Sequence, residues 1–176
     1  MPQNLTALIE QCVREIPDYP KPGVMFKDIT PLLADPKAFA AVVEAVAGAY
    51  EPSAVDYVIG LEARGFILAA PVALELAAGF VPIRKAGKLP ARTFRESYDL
   101  EYGTATIEMH TDAIAPGSRV LIVDDVLATG GTGRAAVELV RRAGGTVVGF
   151  SVLMELAFLK GREKLSDVEL RTLTTV

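Results

Sequence analysis

Two adjacent carboxylates, Asp124 and Asp125, follow the apolar run Val120-Leu121-Ile122-Val123 and precede a stretch of small residues, Ala128-Thr129-Gly130-Gly131-Thr132. The apolar run reads as a buried strand and residues 132–143 as an amphipathic helix, so the small residues form the loop between them. In an open α/β sheet, ligands bind beyond the carboxyl ends of the strands. A loop of Ala, Thr and Gly lets backbone N–H groups approach a phosphate closely, and the helix N-terminus adds free donors and the positive end of its dipole. Thr129 and Thr132 add hydroxyl donors. The two acids would repel a phosphate. They suit sugar hydroxyls, accepting hydrogen bonds, with a metal ion nearby. No Lys follows the glycines, so this is not a Walker loop, and the spacing is not that of a dinucleotide fingerprint. The alternative is an ordinary strand–turn–helix corner with two solvated acids.

Other residues carry weaker chemical signals. Glu62-Ala63-Arg64-Gly65 follows a predicted strand, and Arg64 offers a planar fork of donors to phosphate oxygens. It would equally serve as a surface arginine beside a helix start. Arg84, Lys85 and Lys88 form a basic cluster that would stabilise charge on a multiply charged anion, or simply line a solvated loop. Phe26, between Met25 and Lys27, offers an aromatic face for a flat ligand or a residue for the core. His110 is the only histidine, which argues against a metal cluster or a catalytic triad, and it receives no role. Cys12 is the only cysteine, so no internal disulfide forms, as suits a reducing cytosol.

The elements that must position these residues follow from periodicity and capping. Residues 4–14 read as a short helix with Asn4 as its cap, and 16–23, with three prolines, as a loop. Asp35-Pro36 opens an alanine-rich helix that runs to about residue 49. Strands are predicted over 55–61, 80–83, 104–110, 119–124 and 146–154, and helices over 65–76, despite Pro71, and 132–143, stopped by Gly144-Gly145. Residues 84–99, rich in charge and poor in apolar periodicity, read as a long mobile loop. Strands alternating with helices imply an α/β fold with a mainly parallel central sheet flanked by helices, in a single domain over residues 1–176.

Composition narrows the function classes. With 18 basic and 22 acidic residues, a net charge of −4, the chain gives no electrostatic reason to bind nucleic acid generally. No apolar stretch is long enough to span a bilayer, and the N-terminus has no signal-peptide pattern, so a cytoplasmic protein without membrane attachment is expected.

The segment 120–132 resembles the phosphoribosyl-pyrophosphate motif of type I phosphoribosyltransferases. The blocks Phe26-Lys27-Asp28-Ile29, Gly60-Leu61-Glu62-Ala63-Arg64-Gly65-Phe66, 83–90, Ser97-Tyr98-Asp99-Leu100-Glu101-Tyr102-Gly103 and Leu159-Lys160-Gly161-Arg162-Glu163 are similar to those of the adenine-specific members, nearly end to end. The resemblance implies a fold with a small hood from about residues 1–34. It implies transfer of phosphoribose from phosphoribosyl pyrophosphate to adenine, giving AMP and pyrophosphate, with Mg²⁺ held mainly by the donor and water. Asp124 and Asp125 would hold the ribose hydroxyls and Ala128, Thr129, Gly130, Gly131 and Thr132 the 5-phosphate. Glu62, Ala63, Arg64, Arg84, Lys85 and Lys88 would serve pyrophosphate. Met25, Phe26 and Lys27 would serve adenine, although the family often has Arg where Lys27 stands. Glu101, on a presumed lid, would be catalytic. A homodimer is implied, with the basic cluster near the subunit boundary. The same chemistry would also suit another base, such as hypoxanthine, guanine, xanthine or orotate. A regulator that kept the sugar-phosphate site would be expected to carry a basic face or extension, and none is evident.

Overall fold

The computed structural model describes residues 3–100 and 103–176. In chain order the elements are α1 (Gln3–Cys12), β1 (Arg14–Ile16), β2 (Phe26–Asp28), α2 (Thr30–Ala34), α3 (Pro36–Ala47), β3 (Tyr57–Leu61), α4 (Arg64–Glu75), β4 (Gly79–Lys85), β5 (Thr93–Asp99), β6 (Thr104–His110), β7 (Arg119–Leu127), α5 (Gly131–Arg142), β8 (Thr146–Glu155) and β9 (Leu170–Thr175). Two short 3-10 turns, Ala157–Leu159 and Gly161–Leu165, separate β8 from β9. The main sheet has the order β5-β6-β4-β3-β7-β8-β9, while β1 and β2 form a separate antiparallel pair. Strands β4, β3, β7, β8 and β9 pair in parallel, and β6 runs antiparallel to both β4 and β5.

The continuous apolar run in β7 is explained by cover on both faces. Leu121 and Val123 pack with Val42 and Val46 of α3 and Leu68 and Val72 of α4. Val120 and Ile122 point the other way, toward Val137 and Val140 of α5. Helix α1 buries Leu5 and Ile9 in the first of these clusters, beside α3. The Asp35 side chain accepts from the N–H groups of Lys37 and Ala38, the expected cap of α3. The expected Asn4 cap of α1 lies outside the described side chains.

The stretch expected to be a loop over 84–99 is different. Strand β4 continues to Lys85, and β5 pairs with β6 from Thr93 opposite His110 to Asp99 opposite Thr104. The charges that obscured this strand are met by partners far away in sequence. Arg95 Nε donates to Glu108 at 3.2 Å, and Arg142 of α5 donates to the Arg95 carbonyl at 2.6 Å and to Glu96 at 3.1 Å. Strand β6 departs from simple alternation, because Glu108, on its polar face, is only 1% exposed. Strands β1, β2 and β9 were also not expected. The first two are three residues each, too short for a periodic signal, and β9 carries threonines where apolar residues would have marked it.

Candidate active site

Strands β3 and β7 lie side by side, so the residues just beyond Leu61 and those near the end of β7 share one edge of the sheet. Here the sequence motifs meet. Helix α4 starts at Arg64, directly after a cis peptide bond between Glu62 and Ala63. Its Gly65 abuts the end of β7. A Cβ there would stand 2.7 Å from Asp124 Oδ1 and 3.0 Å from the Val123 carbonyl. Glycine thus allows the helix start to reach the acids.

Strand β7 runs through both acids to Leu127, three residues beyond the expected end. Asp124 Oδ1 accepts the N–H of Asp125 at 2.9 Å. Asp125 is buried, and its Oδ2 lies 2.7 Å from Arg64 Nε. The two atoms are close but not aligned, so the oxygen forms an ion pair while its hydrogen-bonding capacity stays unused. The Asp124 carboxyl is pushed well above its ordinary range, first by loss of water around it and then by the neighbouring Asp125 charge. Asp125 Oδ2 therefore has no hydrogen-bond donor, and a sugar hydroxyl could provide one.

The loop after β7 encloses a pocket of about 70 Å³ lined by Ala128 to Gly133, with Asp124 and Phe150. Gly130 caps α5 with φ +77, in the left-handed region open to glycine. It also packs on the backbone of Gly161, and Gly161 in turn packs on the Ala128 carbonyl. The first-turn N–H groups of α5 have no partners within the helix. The Thr132 hydroxyl donates to Tyr98 Oη at 2.8 Å.

The remaining expected residues fall around this centre in different ways. Arg64 lies between Asp125 and the ring of Phe26, whose centroid is 5.1 Å from the guanidinium carbon. One cation thus links the acid pair to the aromatic ring. Tyr19 meets the same ring edge-on at 5.1 Å. Lys27 is ion-paired with Glu15, and Met25 is exposed. Glu62 accepts from Arg84 Nε at 3.1 Å and from the Lys85 N–H at 2.9 Å, so its carboxylate is turned toward β4. Lys85 and Lys88 are exposed. Glu101 lies outside the described residues.

A Phosphoribosyl transferase domain model matches residues 28–174. Over 176 residues, and the full length of both chains, this chain is 71% identical to the adenine phosphoribosyltransferase of Thermobifida fusca (strain YX). A crystal structure of adenine phosphoribosyltransferase from Rhodothermus marinus superposes with TM-score 0.93 at 50% identity, covering 98% of this chain and 99% of that one. The Saccharomyces cerevisiae enzyme, complexed with an imino-altritol bisphosphate and adenine, superposes with TM-score 0.89 at 38% identity, covering 97% and 98%. The chain belongs to the adenine phosphoribosyltransferases of the phosphoribosyl transferase family.

In this phosphoribosyltransferase Glu108 has a structural role that its sequence context, an acid on the polar face of a predicted strand, does not announce. Its Oε1 accepts the N–H groups of Gly87, Lys88 and Leu89 at 2.9, 3.0 and 3.0 Å. It thereby shapes the turn that carries the basic cluster. Burial by itself would raise its pKa, but the three N–H donors and the Arg95 charge outweigh burial and the net shift is downward. A depressed carboxylate stabilises the fold above its unfolded pKa, and that contribution is lost as pH falls through the folded value. Glu108→Gln is therefore expected to cost about 2–3 kcal/mol in urea unfolding at pH 7. The gap to the unmodified chain should narrow below the ordinary glutamate value of 4.5. Equal stability of the two chains at pH 7 would contradict this assignment.

Proposed function

We propose that this adenine phosphoribosyltransferase uses the cluster at the ends of β3 and β7 to transfer the phosphoribosyl group of phosphoribosyl pyrophosphate to adenine, releasing AMP and pyrophosphate in purine salvage. The observation that carries this reading is the small-residue loop pocket joined to the acid pair Asp124-Asp125 at one sheet edge, where the buried Asp125 Oδ2 has no hydrogen-bond donor. Identity along the whole chain to an adenine phosphoribosyltransferase specifies the base.

The C1–pyrophosphate oxygen bond breaks, a bond from C1 to the purine nitrogen forms, and the purine gives up one proton. Positive charge grows on C1 as pyrophosphate departs. Asp124 and Asp125 accept hydrogen bonds from the ribose hydroxyls and lie near that charge. Ala128 to Thr132 hold the 5-phosphate through backbone N–H groups and the Thr hydroxyls. Arg64, with Ala63 at the bend and Arg84 held by Glu62, faces the leaving group. Lys85 and Lys88 supply more distant positive charge, from this subunit or its neighbour. Phe26 offers its ring to adenine, with Met25 and Lys27 beside it. Glu101 handles the purine proton. Much of the protein's contribution is thus positioning and fixed charge.

Among the described residues, no group of three or more His, Cys, Asp or Glu side chains could hold a metal ion. The neighbouring acids Asp124 and Asp125 fit a Mg²⁺ that keeps most of its ligands from the donor and water. Bound there, Mg²⁺ would offset negative charge on the pyrophosphate.

With phosphoribosyl pyrophosphate and Mg²⁺ present, equal amounts of adenine, hypoxanthine and guanine should yield AMP first. Faster turnover of either oxopurine would overturn the base assignment. We also propose a cytoplasmic homodimer. Among the described residues, no helix is long and apolar enough to cross a membrane. Sedimentation at assay concentration should give a mass near twice the chain's 18.7 kDa, and an active monomer would rule the dimer out.

A further inference from the structure

Tyr98 lies outside the phosphate loop in sequence yet touches it in space. It sits on β5, opposite Ala105, one residue before the strand's end. Its ring covers Gly131 so closely that a Cβ there would stand 2.9 Å from the ring edge. Its oxygen accepts a hydrogen bond from the Thr132 hydroxyl at 2.8 Å. The strand is also fixed at the other end of α5, where Arg142 binds the Arg95 carbonyl and Glu96 and lies over the Phe94 ring at 5.5 Å. Strand β5 is therefore laid along the phosphate-loop helix and held at both ends.

A threonine hydroxyl has one proton and two lone pairs. While Thr132 donates to Tyr98, only lone pairs are left for the pocket, and these repel a phosphate. If the pair reverses, Tyr98 donates to Thr132 and Thr132 donates to the phosphate. No heavy atom needs to move, because each hydroxyl serves as donor or acceptor. Two aligned hydroxyls also polarise one another and strengthen the outer bond. We infer that Tyr98 is a positioning residue for the donor's 5-phosphate: its hydroxyl directs the Thr132 hydroxyl into the loop. This inference rests on the assignment of the 5-phosphate to Ala128–Thr132.

The test titrates ribose 5-phosphate and, separately, inorganic pyrophosphate into the full chain with Mg²⁺. Tyr98→Phe keeps the ring on Gly131 and removes only the hydroxyl. It should weaken ribose 5-phosphate about threefold to tenfold, the range for one net hydrogen bond. Pyrophosphate affinity should not change. Tyr98→Phe should have no further effect once Thr132→Val is present, and it should keep its effect beside Thr132→Ser. Loss in Thr132→Val with none in Tyr98→Phe overturns the role of Tyr98 and keeps the loop assignment. No loss in either variant overturns both. An equal loss for the two ligands in Tyr98→Phe signals general loosening and also overturns the inference.

Discussion

Gly130→Val should reduce use of phosphoribosyl pyrophosphate by about 10²-fold or more, because a shift of about 1 Å in a positioning group costs that much. Two effects act at one residue. Gly130 has φ +77, which a β-branched side chain adopts only with strain. A Cβ would also overlap the Gly161 carbonyl, a backbone atom that a side-chain rotation cannot move aside. The loop must therefore open, and its N–H groups leave the positions assigned to phosphate oxygens. Gly161→Ala approaches the same contact from the other side, since its Cβ would overlap the Ala128 carbonyl. It should raise the donor KM although Gly161 is assigned no contact with the donor. Steady-state kinetics with varied donor and saturating adenine separate the effects, and thermal melts report whether each variant is folded. A folded Gly130→Val chain with an ordinary donor KM would remove this loop from the phosphate site.

Glu101→Gln should slow the chemical step by about 10²- to 10⁴-fold, the usual range for a lost general acid or base. The purine nitrogen that gains the bond to C1 must shed positive charge. A carboxylate at the ring edge accepts or shares that proton, whereas an amide does not. In sequence, Glu101 stands between β5 and β6, where the Leu100 N–H donates to the Gly103 carbonyl at 2.9 Å. Gln keeps the size and most of the hydrogen bonding of Glu, so the substitution isolates the charge. Single-turnover rates across pH should show the loss wherever the carboxylate is ionised. Rates equal to those of the unmodified enzyme at every pH would remove Glu101 from proton handling. Glu101→Leu removes the hydrogen bonds as well, and a loss confined to it would point to a fastening role.

In the segment proposed to meet adenine, placement depends on strand register rather than residue type. Met25, Phe26 and Lys27 are consecutive, but the Phe26 ring lies against Arg64, Met25 is exposed and Lys27 pairs with Glu15. Lys27 is drawn to Glu15 by the register of β1 with β2, which sets Glu15 opposite Lys27. The same register brings Arg14 to Asp28, whose carboxyl is lowered to about 2 by that guanidinium and by hydrogen bonds from Thr30. Neither pairing follows from residue type alone.

What the sequence determined by itself was local. The apolar run of β7, the acids after it, the small-residue loop and the amphipathic α5 are contiguous, and periodicity and glycine placement are sufficient to read them. The alternation of strands and helices likewise implied the mainly parallel sheet, and the motifs at 26–29, 60–66, 97–103 and 120–132 carried the family resemblance. Tertiary structure decided what depends on distant partners. Residues 93–99 form a strand because Glu108 and Arg142 meet charges that in isolation favour solvent. Glu108 is buried because three N–H groups of another turn converge on it. Gly161 and Tyr98 touch the loop after β7 from 31 and 34 residues away, Gly161 counted from Gly130 and Tyr98 from Thr132. A charged side chain has no fixed cost or place until the fold selects its partner, so no local pattern announces it.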